Sequence, residues 1–352
     1  MKKQILAVAV AGAFAVPAFA AADTNVTLFG QLQTQIVHHS ASGDGGAFNS
    51  GIRMHDAGGL GAPGDGAGPS RIGVMVNHDL GNGMTALLKM ESNASTQNVF
   101  AATRDAYVGL DGNFGRVVIG RTQGSYSTAG KDPLNATFMQ ARTNMQARTN
   151  NARLGGLNGY GNGSYLARGI RYSNDFGMVR LDLSVGVDNK PAFGPESTSH
   201  GFSGRLNFDV GPVDLYVAHS DFGDNTTAGA ADTARTTKLG ADWRSGPFRI
   251  VGEIEDFKFG ETTYMEGNNF FVSGTYTMGR NDFVLNLGHQ RLDSQQGVSM
   301  PDSDYAAIAV KHNFSNRVMA FAGVGYASTD NIGFNGSDLS FTGVGGGMRV
   351  SF

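Results

Sequence analysis

The chain has 352 residues, with 27 basic and 30 acidic side chains, 52 glycines, nine prolines and no cysteine. This charge balance lacks the basic excess that nucleic-acid binding requires. The absence of cysteine excludes disulfides and thiolate metal sites.

The first twenty residues have the pattern of an export signal. Two lysines follow the initial methionine, an apolar run covers Ile5–Val16, and a small-residue cleavage site follows at Ala18–Ala20. The apolar run is too short to span a bilayer, which needs about 20 residues. We therefore predict a signal peptide over residues 1–20 and a mature chain over residues 21–352.

Beyond the signal, segments of about ten residues alternate between apolar and polar positions. In Val179–Val187, valine and leucine occupy one face of a strand, and Arg180 and Asp182 occupy the other. The same alternation recurs at Asn25–Val37, Ser70–Asn77, Met84–Glu91, Phe202–Phe208, Val213–His219, Phe248–Ile254 and Phe283–His289. No later apolar run approaches the length of a membrane helix, so a membrane crossing must use strands in a closed barrel. Because a lipid-facing Arg or Lys costs about 2–4 kcal/mol at mid-bilayer, the charged faces must line water.

The connections between these strands alternate between short and long. Short turns are predicted at Leu80–Gly83, Asp111–Gly115, Asp175–Gly177, Val210–Pro212, Ser245–Pro247, Gly279–Asp282 and Phe314–Asn316. Longer polar connections are predicted at about 39–69, 95–102, 122–163, 189–199, 223–235, 259–267, 294–302 and 329–337. Short periplasmic turns with long external loops are typical of outer-membrane barrels. The sequence therefore predicts an all-β fold, a single 16-stranded antiparallel transmembrane β-barrel.

The third long connection, about 122–163, has almost no strand pattern. A loop of this length is uncommon in a compact domain and is usually functional or disordered. It includes a tandem repeat of MQARTN at 139–150. We expect this loop to fold back into the barrel and to narrow its pore.

Several short motifs resemble a known protein family, the trimeric general porins of Gram-negative outer membranes. They are NVTLFGQL after the signal, SRIGVMV, TRDAYVGL, GNFGRVVIGR and an alternating last strand that ends in Phe352. The resemblance covers the mature chain. It implies that the third external loop enters the lumen, that the protein is a homotrimer, and that the barrel-assembly machinery reads Phe352.

The resemblance also implies a constriction with a ladder of arginines on the barrel wall. Arg71 and Arg104 match the ladder positions, and the alternation predicts that both side chains face the barrel lumen. Arg121 matches too, but it shares the face of Ile119, so a bulge or strand end must turn it inward. The alternation places four further basic residues and one carboxylate on the inner wall: Lys89, Arg171, Arg180, Arg205 and Glu91.

On the loop side of the predicted constriction, the charges are mostly positive. The acidic segment found in enterobacterial relatives of the family is missing. The candidate constriction residues of the loop are Lys131, Asp132, Arg142, Arg148 and Arg153. Because charge of one sign in a narrow pore repels like ions, one hypothesis is that the channel prefers anions. The alternative is that these arginines only form salt bridges with wall carboxylates such as Glu91, Glu253 or Glu255, or that they face the vestibule.

A passive channel for small hydrophilic solutes and ions is the function that the sequence favours. The alternatives are an adhesin or structural barrel and, with less support, a barrel hydrolase, for which no HExxH or GxSxG pattern occurs. The adjacent His38 and His39 point to opposite faces of a strand, so neither a metal site nor a cofactor is predicted. The expected location is the outer membrane of a Gram-negative bacterium, in contact with lipid and lipopolysaccharide.

Overall fold

Seventeen β-strands, all in one sheet, dominate the part of the chain that the computed structural model describes. The described residues are 24–42, 50–55, 70–96, 98–100, 102–129, 131–134, 165–187, 201–223, 233–259, 265–293, 302–330 and 338–352. The strands are β1 (Thr24–Ser42), β2 (Gly51–His55), β3 (Arg71–Gly81), β4 (Met84–Asn93), β5 (Thr103–Gly112), β6 (Gly115–Gln123), β7 (Tyr165–Asp175), β8 (Val179–Gly186), β9 (Gly201–Val210), β10 (Val213–Gly223), β11 (Thr233–Ser245), β12 (Phe248–Phe259), β13 (Met265–Met278), β14 (Asn281–Leu292), β15 (Ser303–Asn313), β16 (Val318–Thr329) and β17 (Leu339–Ser351). Among these residues, no helix is long and apolar enough to cross a membrane.

Antiparallel pairing of sequential strands closes the sheet into a barrel. Each strand from β3 to β16 pairs with the strand that follows it in sequence. The last strand, β17, pairs with β1, and β1 pairs with β3. Sixteen strands therefore form a closed ring, as predicted. Closure pairs the first strand of the ring with the last, so the ring does not end in two open edges as an isolated sheet does.

The first external connection differs from its prediction. The alternation indicated a loop over 39–69, but β1 continues to Ser42 and β2 lies within the connection. The pairing explains the difference, because β3 reaches only to Gln31 on β1 and β2 pairs with Gln35–His39 beyond it. The short β2 thus satisfies backbone groups on the outer half of the long first strand.

The seven predicted short turns are confirmed, since each joins two paired strands. At the first turn, Asn82 and Gly83 have φ values of 53° and 73°. Two successive positive φ values are the requirement of a tight hairpin turn whose twist matches its strands, and Asn-Gly meets it with little strain.

The two faces of the sheet have opposite chemistry. On β12, Ile250 and Ile254 point outward and are 50% and 53% exposed. Glu253 and Glu255 lie between and beyond them in sequence, point inward and are buried. An apolar exterior and a polar interior are the arrangement that lipid outside and water inside favour.

Candidate functional site in the barrel lumen

A carboxylate surrounded by three cations lies at the centre of one side of the lumen. Glu91 on β4 is 2.5 Å from Arg104 Nε, 2.7 Å from Lys89 Nζ and 3.7 Å from Arg71 Nε. Its own side chain is only 3% exposed, whereas that of Arg71 is 37% exposed. Lys89 also contacts Asp105 at 2.5 Å. Positive charge therefore exceeds negative charge in this cluster.

Arg104 reaches the lumen by a route that simple alternation does not describe. It has the sequence parity of Val108 and Leu110, which point outward and are 57% and 42% exposed. A register shift between β4 and β5 places both Arg104 and Asp105 opposite Glu91 alone. This bulge turns the arginine toward Glu91, whereas regular alternation along β5 would point it outward with Val108.

Arg121 also lies where strand pairing is irregular. Ile119 before it points outward, but Gly120 has φ +137° and a register shift with β7 follows. The Arg121 Nε donates to the Thr103 carbonyl at 2.9 Å, and its guanidinium carbon lies 4.9 Å from the centre of the Tyr165 ring. Arg104 lies over the same ring at 5.6 Å. Arg121 and Arg104 are thus brought together at one tyrosine.

A fifth basic residue completes this side of the lumen. Arg349 on β17 donates from Nε and Nη2 to Gln33 Oε1 on β1, at 2.9 and 2.8 Å. Gln31, two residues before Gln33, is the register partner of Arg71. We call five cations and two carboxylates the cationic wall: Arg71, Lys89, Arg104, Arg121, Arg349, Glu91 and Asp105. The position of Arg349 in this cluster depends on the pairing of the last strand with the first, which no local sequence signal predicts.

The chain that follows β6 lies against the opposite side of the lumen. We call its described residues, 124–129 and 131–134, the lumen strap. Ser125 Oγ donates to Asp182 on β8, and the Tyr126 N–H donates to Ser203 Oγ on β9 at 3.2 Å. The remaining predicted loop, including Arg142, Arg148 and Arg153, lies outside the described residues.

Further contacts carry the strap across four more strands. Lys131 Nζ lies 3.0 Å from Asp214 on β10, and its carbonyl accepts from Arg249 on β12. Asp132 Oδ1 accepts from the Asn286 amide on β14 at 2.7 Å. The Pro133 carbonyl accepts from Lys311 on β15 at 3.2 Å. The first part of the predicted inward loop therefore lines the wall from β8 to β15.

The strongest anchor of the strap is a buried network around Tyr126. The Tyr126 hydroxyl donates to Glu255 Oε2 at 2.6 Å, and Lys238 Nζ lies 4.8 Å from the centre of its ring. Lys238 is fully buried and contacts both Glu253 and Glu255, at 3.3 and 3.0 Å. The Tyr216 hydroxyl donates to Glu253 at 2.7 Å. Among the described residues of the loop, it is Tyr126 that contacts Glu255, one of the two glutamates that the sequence offers as partners of loop cations.

Burial under the strap also changes the acidity of Tyr126. Loss of hydration, the negative charge of Glu255 and the hydrogen bond to it together hold the pKa of the Tyr126 hydroxyl well above its usual value. The hydroxyl therefore stays a proton donor throughout the physiological pH range.

The described residues hold no group of three or more histidine, aspartate or glutamate side chains arranged for a metal ion. His38 is exposed and His39 is buried, in keeping with opposite faces of β1.

A family model described as Gram-negative porin matches residues 7–332 of this sequence. The chain belongs to the Gram-negative porins. It is 28% identical to outer membrane porin protein 32 of Delftia acidovorans over 276 residues, which cover 74% of this chain and 70% of that protein. The porin is thus an outer-membrane channel and not an enzyme.

Solved structures show the same fold at lower identity. The anion-selective porin from Comamonas acidovorans aligns with a TM-score of 0.74 and 21% identity, over 94% of this chain and all of that one. The trimer form of OmpT from Vibrio cholerae aligns with a TM-score of 0.63 and 15% identity, over 94% of this porin and all of OmpT.

Proposed function

We propose that this porin passes small anions in preference to cations, through a constriction between the lumen strap and the cationic wall. The observation that carries the proposal is the composition of the cationic wall, where five cations face two carboxylates. In a narrow aqueous pore with low-dielectric walls, such an excess lowers the energy of an anion and raises that of a cation.

The side of the lumen that holds the strap is closer to neutral. Its basic side chains contact carboxylates in a series of pairs: Arg171–Asp182, Arg205–Asp182, Arg180–Asp214, Lys131–Asp214, Arg249–Asp242, Lys311–Asp282 and Lys238 with Glu253 and Glu255. The field across the pore is therefore set by the cationic wall.

One cation of the predicted loop, Lys131, lies among the described residues. Of the loop cations, Lys131 is paired with Asp214, as in the alternative reading of the sequence. The proposed anion preference thus rests on the wall, and we retain residues 122–163 as a constriction loop whose first part is the strap.

Reversal potential in a KCl gradient across a planar bilayer tests this function. We expect the wild-type potential to have the sign of an anion-preferring channel, as for the anion-selective porin from Comamonas acidovorans. Arg71→Gln should move the potential toward zero, because Arg71 is the most exposed cation around Glu91. Arg235→Gln is the matched control, since its guanidinium pairs with Asp221 on the outer face. A wild-type channel that prefers cations overturns the proposal.

We further infer that the porin is a homotrimer, exported with residues 1–20 as its signal and assembled through recognition of Phe352. The family resemblance and the trimeric form of the OmpT neighbour support this assembly. Its outward apolar face meets outer-membrane lipid and lipopolysaccharide. Light scattering of the detergent-solubilised protein should give three times the monomer mass. A monomer at all concentrations would contradict the assembly.

A further inference from the structure

Two arginines of the cationic wall lie over the ring of Tyr165. The guanidinium carbons of Arg104 and Arg121 lie 5.6 and 4.9 Å from the centre of its ring. The Arg104 Nη1 donates to Asn93 Oδ1 at 2.8 Å and its Nε contacts Glu91, so its guanidinium is held in place. Stacking on an aromatic ring restrains a guanidinium without neutralising its charge.

Arg121 and Tyr165 have hydrogen-bond donors that no described residue uses. Arg121 uses its Nε on the Thr103 carbonyl, and it forms no ion pair with any residue of the described chain. Its two Nη groups therefore keep donors for a ligand. The Tyr165 hydroxyl, in a side chain of intermediate exposure, likewise makes no hydrogen bond within the described residues.

We propose that Arg121 and Tyr165 form a subsite for an oxyanion, the carboxylate or phosphate of a small solute. The inference rests on the proposed passage of anions and deepens it. A planar guanidinium offers two parallel N–H groups that match two oxygens, and the phenol adds a directional neutral donor. Chloride is a single spherical ion with no second acceptor atom to match that fork, so the subsite favours oxyanions over halides.

The test measures block of the chloride current by added succinate or by inorganic phosphate, in the full-length protein in planar bilayers. Tyr165→Phe removes the hydroxyl and keeps the ring, and Arg121→Lys keeps the charge and removes the fork. Each variant should need about tenfold more succinate or phosphate for half-block, the effect of one hydrogen bond to a charged group.

Two controls separate the subsite from general effects. Tyr172→Phe is matched in chemistry, but that hydroxyl donates to the Phe114 carbonyl at the barrel exterior and should not affect block. Dimethyl succinate, which lacks charge, should not block any variant. Wild-type β-sheet circular dichroism shows that a variant has folded.

Different results would overturn the proposed anion preference and the proposed oxyanion subsite. Cation preference of the wild type overturns the proposed function. Anion preference with equal block in wild type and Tyr165→Phe overturns the subsite alone, as does weaker block in Arg121→Lys only. Weaker block by one probe and not the other supports the subsite and shows whether carboxylate or phosphate is its ligand.

Discussion

Aromatic rings cover glycines at several positions of the barrel wall. The ring of Phe352 lies over Gly30, that of Phe29 over Gly73 and that of Tyr216 over Gly240. A methyl group at Gly30 would lie 2.6 Å from Phe352 Cζ. These glycines are therefore needed for the space above them, since a side chain there would displace a packed ring.

Gly30→Ala should destabilise the barrel at its closing seam. The added methyl displaces the Phe352 ring from the site where the Phe352 N–H donates to the Gly30 carbonyl at 3.0 Å. We expect a loss of about 1–3 kcal/mol in the free energy of unfolding, typical of overpacking. Urea unfolding of the refolded protein in lipid vesicles measures it. Gly252→Ala, at an outward strand position with nothing within 4 Å, should change stability by less than about 0.5 kcal/mol.

Glu91 limits the positive charge of the cationic wall. Glu91→Gln should shift the reversal potential in a KCl gradient further toward anions, because three contacting cations lose their shared counter-charge. We also expect about 2–3 kcal/mol lower stability, from the loss of a buried charged partner. Asp221→Asn removes an outward-facing carboxylate and should leave the potential as it was. An unaltered potential in Glu91→Gln would place the constriction elsewhere.

At the scale of elements, the strap shows how a segment without strand pattern becomes fixed. Its backbone groups accept from Arg205, Arg249 and Lys311, and its side chains contact Asp182, Asp214 and Asn286. The segment has little periodicity because its partners are wall side chains and not a neighbouring strand. The polar inner wall thus serves both as the pore lining and as the support of the strap.

Substitutions of two tyrosines in the buried network distinguish anchoring of the strap from stability of the wall. Tyr126→Phe removes the bond from the strap to Glu255, and Tyr216→Phe removes a similar bond to Glu253 within the wall. Each should lower the free energy of unfolding by about 1.5–3 kcal/mol, as expected for hydrogen bonds to charged groups. Only Tyr126→Phe should increase single-channel current fluctuations. Equal noise in both variants would contradict an anchoring role.

The raised pKa of Tyr126 gives the network a dependence on alkaline pH. The unfolded chain loses this proton near pH 10, whereas the folded barrel retains it to higher pH. The stabilisation is therefore complete below about pH 10 and decreases as pH rises above it, by at most about 1.4 kcal/mol per pH unit. The stability difference between wild type and Tyr126→Phe, measured from pH 8 to 11, should shrink above pH 10. A constant difference would contradict the buried hydroxyl.

At the scale of the whole molecule, ring closure creates two unlike sides of one lumen. The pairing of β17 with β1 brings Arg349 to the same part of the wall as Arg71, although the two residues are far apart in the sequence. The strap covers the paired charges from β8 to β15 and leaves the cationic wall facing it. The proposed selectivity is thus a property of the closed barrel.

The sequence by itself determined the architecture of this porin. Alternation with a period of two distinguished lipid from water faces, and tight turns such as Asn82-Gly83 fixed the strand boundaries. These signals are local, because side-chain direction along a strand and the φ preference of a turn depend on immediate neighbours.

Only the tertiary structure decided which charges meet. Arg104 points inward because β5 gains a bulge against β4, and Arg121 meets Tyr165 because β7 pairs with β6 across a long connection. Tyr126 finds Glu255 on a strand that is 129 residues away in sequence. Register shifts and long-range hydrogen bonds depend on how strands pair around the closed ring, and no local pattern of residues encodes them.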